Sequence, residues 1–172
     1  MQKHFNKEYI ADNNINLNLF TPKESTCYFV IRAIEDGLKM INFPKDSVKI
    51  TYTKFCFLTQ GYSVVNENLI EINQCAPQIR FSPPGKIVSV TKISDDVEGF
   101  YCLFDHEFIS RYAGEINLLK SLSFFELDAI PVLTLSIEQI TFFKTLLQRI
   151  NYLYNNDYEQ NKAIIAPILY HF

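Results

Sequence analysis

The chain has 172 residues, 48 % of them hydrophobic, and its formal net charge is −3. These values predict one globular domain with a sizeable core and exclude an intrinsically disordered chain. A nucleic-acid-binding domain usually carries a basic face, which this sequence does not show, so we expect no direct DNA binding by this chain.

Neither secretion nor membrane insertion is predicted. The polar start, residues 1–8, has no apolar segment typical of a signal peptide, and no uncharged run reaches the roughly 18 residues that a membrane span needs. The four widely spaced cysteines favour free thiols in a reducing compartment: Cys27, Cys56, Cys75 and Cys102. We therefore expect a cytoplasmic protein without membrane contact.

The first part of the chain predicts an arm and then a strand. Residues 1–24 are polar and Asn-rich and predict a weakly structured arm, whereas residues 27–35 are rich in the β-branched and aromatic side chains typical of a strand. Asp36-Gly37 is a turn signal. Residues 38–43 fit either a short strand or a helical turn.

The middle of the chain predicts a succession of short strands. Residues 48–52 alternate apolar and polar side chains, and residues 55–59 form a continuous apolar run typical of a strand buried on both faces. Further strands are predicted at residues 69–72, 78–81, 87–93 and 99–104, with a corner at Pro83-Pro84-Gly85. Short, evenly spaced strands favour a sandwich or a barrel.

The hydrophobic period changes to that of a helix after the last strand. Asp105 is suited to the N-cap of a first helix. Residues 136–139 form a capping-box pattern, which predicts a long helix that ends at about residue 155. Residues 159–172 also predict a helix, which Pro167 should kink or break.

The long predicted helix carries a row of apolar residues at the three-four spacing of heptads. The row has two interpretations, because it could pack against the barrel of its own chain or against a second copy of the chain. We expect one face of this helix on the barrel and the other in a two-fold homodimer. The dimer-interface candidates are Ile140, Phe143, Leu147, Ile150 and Tyr154.

Four features stand out by their order and spacing. They are the turn at Thr59-Gln60-Gly61, the corner at Pro83-Pro84-Gly85, the run of residues 93–109, and the pair Ser123-Phe124-Phe125 and Pro131-Val132-Leu133. The run holds Ser-Asp-Asp, then Glu-Gly-Phe-Tyr-Cys-Leu-Phe, and then Glu-Phe-Ile in an acidic helix start. Together these features resemble the amino-terminal domain of AraC-type (AraC/XylS) transcription regulators, in particular those of Bacteroidetes.

The resemblance implies an α+β, mainly β fold, with a cupin-like (jelly-roll) β-barrel followed by C-terminal helices. The barrel would take residues 25–104, and a helical dimerisation region would take residues 105–172 of the same structural domain. The resemblance also implies a small-molecule effector in the barrel and a DNA-binding helix-turn-helix domain that is absent from this chain. We therefore expect a truncated piece of a longer regulator.

Polar side chains within apolar strands are the effector-binding candidates: Tyr52, Lys54, Arg80 and Tyr101. Arg80 stands between Ile79 and Phe81, and an inward guanidinium would favour a carboxylate or phosphate group. Because successive strand residues face opposite sides of a sheet, Arg80 and Lys54 could instead point to solvent. The two tyrosines could likewise be core or rim residues.

Catalysis and metal binding are not predicted. The three histidines, His4, His106 and His171, lie outside the predicted barrel strands, so the clustered donors of a cupin metalloenzyme are lacking. No nucleophile elbow or glycine-rich phosphate loop is present, and we expect no cofactor. Two alternatives to a sensor stay open, namely a ligand-free dimerisation scaffold and a cupin-type metalloenzyme.

Overall fold

The computed structural model describes residues 27–38, 47–113 and 132–170, and the predicted arm lies outside these ranges. The described strands are β1 (Phe29–Ala33), β2 (Val48–Lys49), β3 (Thr53–Gln60), β4 (Tyr62–Glu67), β5 (Ile70–Cys75), β6 (Gln78–Ser82), β7 (Ile87–Ile93), β8 (Glu98–Phe104) and β9 (Val132–Thr134). The described helices are α1 (Ile34–Leu38), α2 (His106–Ala113), α3 (Ile137–Asn155) and α4 (Tyr158–Tyr170).

The strands form two antiparallel sheets. The five-stranded sheet has the order β1-β8-β3-β6-β9, and the four-stranded sheet has the order β2-β7-β4-β5. The chain crosses repeatedly from one sheet to the other, and its first eight strands take the order of a double-sheet jelly roll made of two Greek keys. The predicted fold class, a mainly β jelly-roll barrel followed by C-terminal helices, is confirmed.

The five-stranded sheet presents an aromatic face to the helices. Strand residues alternate between two faces, so Phe57 of β3 shares this face with its cross-strand partner Phe100 of β8. The rings are buried with apolar residues of α3 and α4, which include Leu147, Ile150 and Ile165. Each such buried side chain contributes roughly 1.5–3 kcal/mol. This aromatic face therefore holds the helices on the jelly roll.

The turn predicted at Asp36-Gly37 is wrong, because both residues lie within α1. Ile34 is buried in the jelly-roll core, and the carboxylate of Glu35 accepts a hydrogen bond from the amide of Gly99 at 3.3 Å. These two contacts favour a helical turn although glycine disfavours a helix by about 1 kcal/mol. Of residues 38–43, whose conformation was left open, Leu38 ends this helix and the others lie outside the described residues.

The predicted helix starts are confirmed. The Asp105 carboxylate accepts a hydrogen bond from the amide of Phe108 at 2.7 Å. In the capping box, the amide of Gln139 donates to the Ser136 hydroxyl at 3.3 Å, and the amide of Ser136 donates to the Gln139 side chain at 2.9 Å. The helix α4 continues through Pro167 to the end of the element, so it does not break at this proline.

We expect Asp105→Ala to destabilise the fold more than Ser136→Ala. The second oxygen of Asp105 also accepts from the amides of Tyr28, at 2.8 Å, and Cys27, at 3.2 Å, and so ties α2 to the start of β1. A cap alone contributes about 1 kcal/mol, and the two further bonds should bring the loss at Asp105 to about 3 kcal/mol. Urea unfolding measures both variants, and equal losses would contradict this role of Asp105.

Gly99 lies where β8 approaches β3 so closely that an added Cβ would overlap the carbonyl oxygen of Phe57. The φ of Gly99 is +152°. Gly85 is a suitable control, because its φ is also positive, at +92°, but nothing lies within 4 Å of the position that an added Cβ would take there. Gly99→Ala should therefore cost about 3 kcal/mol or more and Gly85→Ala about 1 kcal/mol, which reflects backbone strain alone. Thermal or urea unfolding measures the loss of stability in each variant, and a larger loss for Gly85→Ala than for Gly99→Ala would refute this prediction.

Candidate functional site

A group of polar side chains is buried between the two sheets. Arg80 of β6 is 2 % exposed and reaches from the five-stranded sheet to Glu67 of β4 and Gln74 of β5, both in the four-stranded sheet. We call this group the interior polar cluster, and its members are the buried Glu67, Gln74, Arg80 and Ser82 together with the half-buried Lys54. Such a cluster is unusual inside a jelly roll, because buried polar groups cost free energy unless they are paired.

Arg80 is the centre of the interior polar cluster. Its Nη1 donates to the Ser82 hydroxyl at 2.7 Å and lies 3.4 Å from Oε2 of Glu67, and its Nε donates to Oε1 of Gln74 at 3.3 Å. Since Arg80 and Glu67 belong to different sheets, their ion pair joins the two layers. The solvent-facing interpretation of Arg80 is therefore wrong.

Glu67 and Gln74 are held by further bonds. The Ser82 hydroxyl donates to Oε2 of Glu67 at 2.7 Å, and Nζ of Lys86 lies 3.7 Å from Oε1 of the same carboxylate. The side-chain amide of Gln74 donates to two backbone carbonyl oxygens, those of Cys56 at 2.9 Å and Gln78 at 3.0 Å. Glu67 and Gln74 are thus each bonded at more than one point.

Lys54 lies on the same inner face, opposite Ser82 of β6 and Leu103 of β8. Burial and, to a smaller extent, the positive charge of Arg80 lower the pKa of its ammonium to about 8. The pairs Lys54–Ser82 and Cys56–Arg80 are neighbours on one face of the ladder, with Phe55–Phe81 between them on the other face. Lys54 and Arg80 are therefore diagonal neighbours, about 7–8 Å apart. The structure therefore brings Lys54 and Arg80 together on the inner face of the five-stranded sheet.

The two tyrosine candidates lie in the apolar walls beside the interior polar cluster. Tyr52 is buried with Val65 and Leu103, and burial raises the pKa of its phenol above the ordinary value, with a smaller contribution from Tyr101. Tyr101 is half-buried and packs against this apolar group and against a second one around Leu58. The side chain of Arg80 donates instead to Gln74, Glu67 and Ser82.

Ser63 adds an unsatisfied group to the same interior. It is 5 % exposed, it lies opposite Gln74 in the ladder, and its hydroxyl has no hydrogen-bond partner in the part of the chain that the structure describes. Sequence reasoning missed Ser63, as it missed Glu67, Gln74 and Ser82. The alternation of Ser63, Val65 and Glu67 along β4 does place all three on one face, but it gives no sign that this face is buried.

Among the described residues, no group of three or more His, Cys, Asp or Glu side chains is placed to hold a metal ion. His106 is exposed on α2, and the other two histidines lie outside those residues. None of the described helices is both long and apolar enough to cross a membrane.

The apolar row of α3 packs within its own chain. Leu147 and Ile150 are fully buried, and the ring of Phe143 lies 6.5 Å from that of Phe57 on the aromatic face. Ile140 and Tyr154 pack against the same cluster. Leu147 and Ile150 therefore pack on the barrel of their own chain, whereas Ile140, Phe143 and Tyr154 are only partly buried. The assignment of the row to a homodimer interface stays a prediction.

The comparisons with known proteins give no family assignment. No family model and no curated protein matches the chain. The solved structures with some likeness include ToxT of Vibrio cholerae bound to an unsaturated fatty acid, with 13 % identity, a TM-score of 0.47, and coverage of 87 % of this chain and 53 % of that one. They also include ToxT bound to (E)-4-(8-methylnaphthalen-1-yl)but-3-enoic acid, with 11 % identity, a TM-score of 0.44, and coverage of 86 % and 56 %.

A third solved structure is EutQ of Clostridium difficile, with 10 % identity, a TM-score of 0.31, and coverage of 46 % of this chain and 55 % of that one. The chain thus spans little more than half the length of these proteins. The assignment of the fold to the jelly-roll class rests on the strand order described above.

We expect Arg80→Met to cost about 3–5 kcal/mol of stability, because it leaves the buried Glu67 carboxylate without its main partner. The double variant Arg80→Met with Glu67→Gln should recover much of this loss, since no unpaired charge then remains inside the jelly roll. Urea unfolding of the wild type, both single variants and the double variant gives the coupling free energy. Strictly additive losses would show that the two side chains do not form a functional pair.

Proposed function

We propose that this chain is the sensory and dimerisation domain of an AraC-type DNA-binding transcription regulator, which binds a small-molecule effector between the sheets of its jelly roll. The observation that carries the proposal is the interior polar cluster, which is buried within an otherwise apolar core. The order of elements, a jelly roll followed by helices, agrees with the sequence resemblance to that family. We assign DNA binding to helix-turn-helix units outside the described residues.

The energetics of the interior polar cluster favour a binding role over a purely structural one. A buried ion pair usually stabilises a fold no more than well-packed apolar residues of the same volume would. The Arg80–Glu67 pair is accompanied by Lys54, which forms no hydrogen bond or ion pair within the described residues, and by Ser63, whose hydroxyl has no hydrogen-bond partner among them. Groups left in this state are suited to complete their bonds with a ligand.

The backbone offers a direct route from this site to the helices. β6, which carries Arg80, pairs with β9, and Arg80 lies directly opposite Val132 in that ladder. The side chain of Gln78 also donates to the Thr134 hydroxyl at 3.1 Å, and the capping box of α3 begins at Ser136. An effector that favours one position of β6 would therefore bias the position of α3, which is coupling by differential binding to two arrangements.

A ligand-free dimerisation scaffold is the second candidate, and one observation favours it. Glu67, Gln74, Arg80 and Ser82 already satisfy one another, so the jelly roll closes over its own polar groups without a ligand. We propose no enzymatic activity, and we know of no feature of the described residues that supports a cupin-type metalloenzyme.

A metabolite library, screened by thermal shift, tests the sensor against the scaffold. At least one compound should raise the Tm of the wild type, and it should have a smaller effect on the Arg80→Met, Glu67→Gln double variant, because the variant retains the fold but not the polar cluster. Sedimentation velocity on the same samples measures the predicted homodimer. A library without a single stabilising compound would favour the scaffold.

The reading frame beyond residue 172 tests the regulator assignment independently. We expect it to encode two helix-turn-helix units, and the protein with these units should bind DNA in a manner that the stabilising compound changes. A stop codon directly after Phe172 would contradict the regulator but would leave the ligand site untouched.

A further inference from the structure

One long edge strand of the four-stranded sheet is left exposed. β5 lies at the end of that sheet, and its six residues are exposed except for the half-buried Ile72 and the buried Gln74. The other edges among the described strands are short or covered, since β2 has two residues, β9 has three, and β1 is largely buried. An edge strand presents amides and carbonyl groups without partners, so β5 is the described edge that a further strand can extend.

The free hydrogen-bonding groups of β5 follow from the direction of its amides. The amide of Cys75 donates to the side chain of Gln78 at 2.9 Å, whereas the amide of the next residue bonds back to the carbonyl oxygen just before β4. Amides along a strand point alternately to its two sides, so those of Glu71 and Asn73 point away from β4, as that of Cys75 does. No hydrogen bond within the described ranges engages either amide.

The turn that leads into β5 exposes apolar side chains. Leu69 is fully exposed and Ile70 is 66 % exposed, and Ile87 of the neighbouring strand β7 is 50 % exposed. Asn68 and Leu69 both have a positive φ, of +50° and +70°, which a bulky side chain such as leucine rarely adopts. A strained turn that presents leucine to water is typical of a contact surface.

We propose that β5 pairs with β5 of a second copy of this chain, in antiparallel orientation, so that two four-stranded sheets form one sheet of eight strands. The inference deepens the homodimer of the proposed function and rests on it. A two-fold axis at Ile72 places Glu71 of each copy opposite Asn73 of the other. Each such pair exchanges two backbone hydrogen bonds, so this register uses all four free amides.

The side chains of β5 are complementary in this register. Each Glu71 faces a neutral Asn73, and Ile72 meets the Ile72 of the second copy. An axis at Glu71 would oppose two carboxylates, and an axis at Asn73 would pair Glu71 with Cys75, whose amide is already bonded to Gln78. β5 also has no lysine or proline, the residues that commonly protect an edge from pairing with its own copy. These features favour a second copy over an unrelated peptide.

The expected contact is weak and depends on concentration. Two paired strands of six residues lie at the small end of the range of protein interfaces, even with the apolar turns added. Sedimentation velocity on the 172-residue chain should therefore show monomers at low concentration and dimers well before about 1 mM.

A pair of variants at Asn73 tests the register through charge. Asn73→Lys places a cation opposite each Glu71 and should lower the dimer Kd by about fivefold, whereas Asn73→Glu opposes like charges and should raise it by about as much. The exchanged variant, Glu71→Lys with Asn73→Glu, should again dimerise more tightly than the wild type. Both positions are exposed, so all variants should fold. About 0.5 M salt should reduce these differences, because it screens exposed charges.

Hydrogen exchange, followed by NMR, tests the pairing at the backbone. The amides of Glu71 and Asn73 should exchange rapidly in the monomer and slow down as the dimer forms. The amide of Gln74 is the control, because it points toward β4 and should be protected at every concentration.

Three results would overturn this inference. They are a chain that stays monomeric up to about 1 mM, a dimer Kd that Asn73→Lys and Asn73→Glu change alike, and protection of the two free amides that does not depend on concentration. The last result would show that the chain covers this edge itself.

The homodimer of the proposed function can survive the failure of this contact. If the Kd is the same in all variants at residue 73 but dimers are lost in Phe142→Lys, on the exposed side of α3, the homodimer stands and only the contact through β5 falls. If no dimer forms at all, both fall.

Discussion

The ion pair between Arg80 and Glu67 constrains the whole jelly roll, because its two members come from different sheets. The two layers must approach closely enough for a guanidinium to reach a carboxylate, and the space between them must remain polar at that point. An apolar core of equal volume would serve stability at least as well. This comparison is the physical basis of the proposed binding role of the polar interior.

The five-stranded sheet can link that interior to the helices because its two faces differ. One face of β3 carries Lys54 and Cys56 toward the four-stranded sheet, and the other carries Phe55 and Phe57 toward α3 and α4. The interior of a close-packed protein transmits small shifts rather than absorbing them. A strand that moves to accommodate a ligand on its polar face thus moves the aromatic face on which the helices rest.

The fold was largely predictable from the sequence, because its signals are local. Alternation along the strands, the continuous run at residues 55–59 and the capping box at Ser136 each depend on residues close in sequence. The turn at Asp36-Gly37 failed for the opposite reason, since a distant hydrogen bond from Gly99 to Glu35 holds those residues in a helix.

The site was predictable only in part. Arg80 and Lys54 are conspicuous within apolar strands. The alternation of side chains along a strand shows that the strand has two faces, but it does not show which face is buried. Glu67 and Gln74 look like ordinary solvent-facing strand residues, and only the packing of one sheet on the other brings them to Arg80. The apolar row of α3 posed the same difficulty, because a barrel and a second copy of the chain require the same spacing of side chains.

The most direct measurement of the central claim is an NMR titration of Lys54 itself, in protein with isotope-labelled lysine side chains and with Lys54→Met to assign the signal. The account predicts a midpoint at about pH 8 in the free protein, which moves when a stabilising compound from the metabolite library is added. A midpoint close to the ordinary lysine value of about 10.4, unchanged by every compound tested, would contradict it.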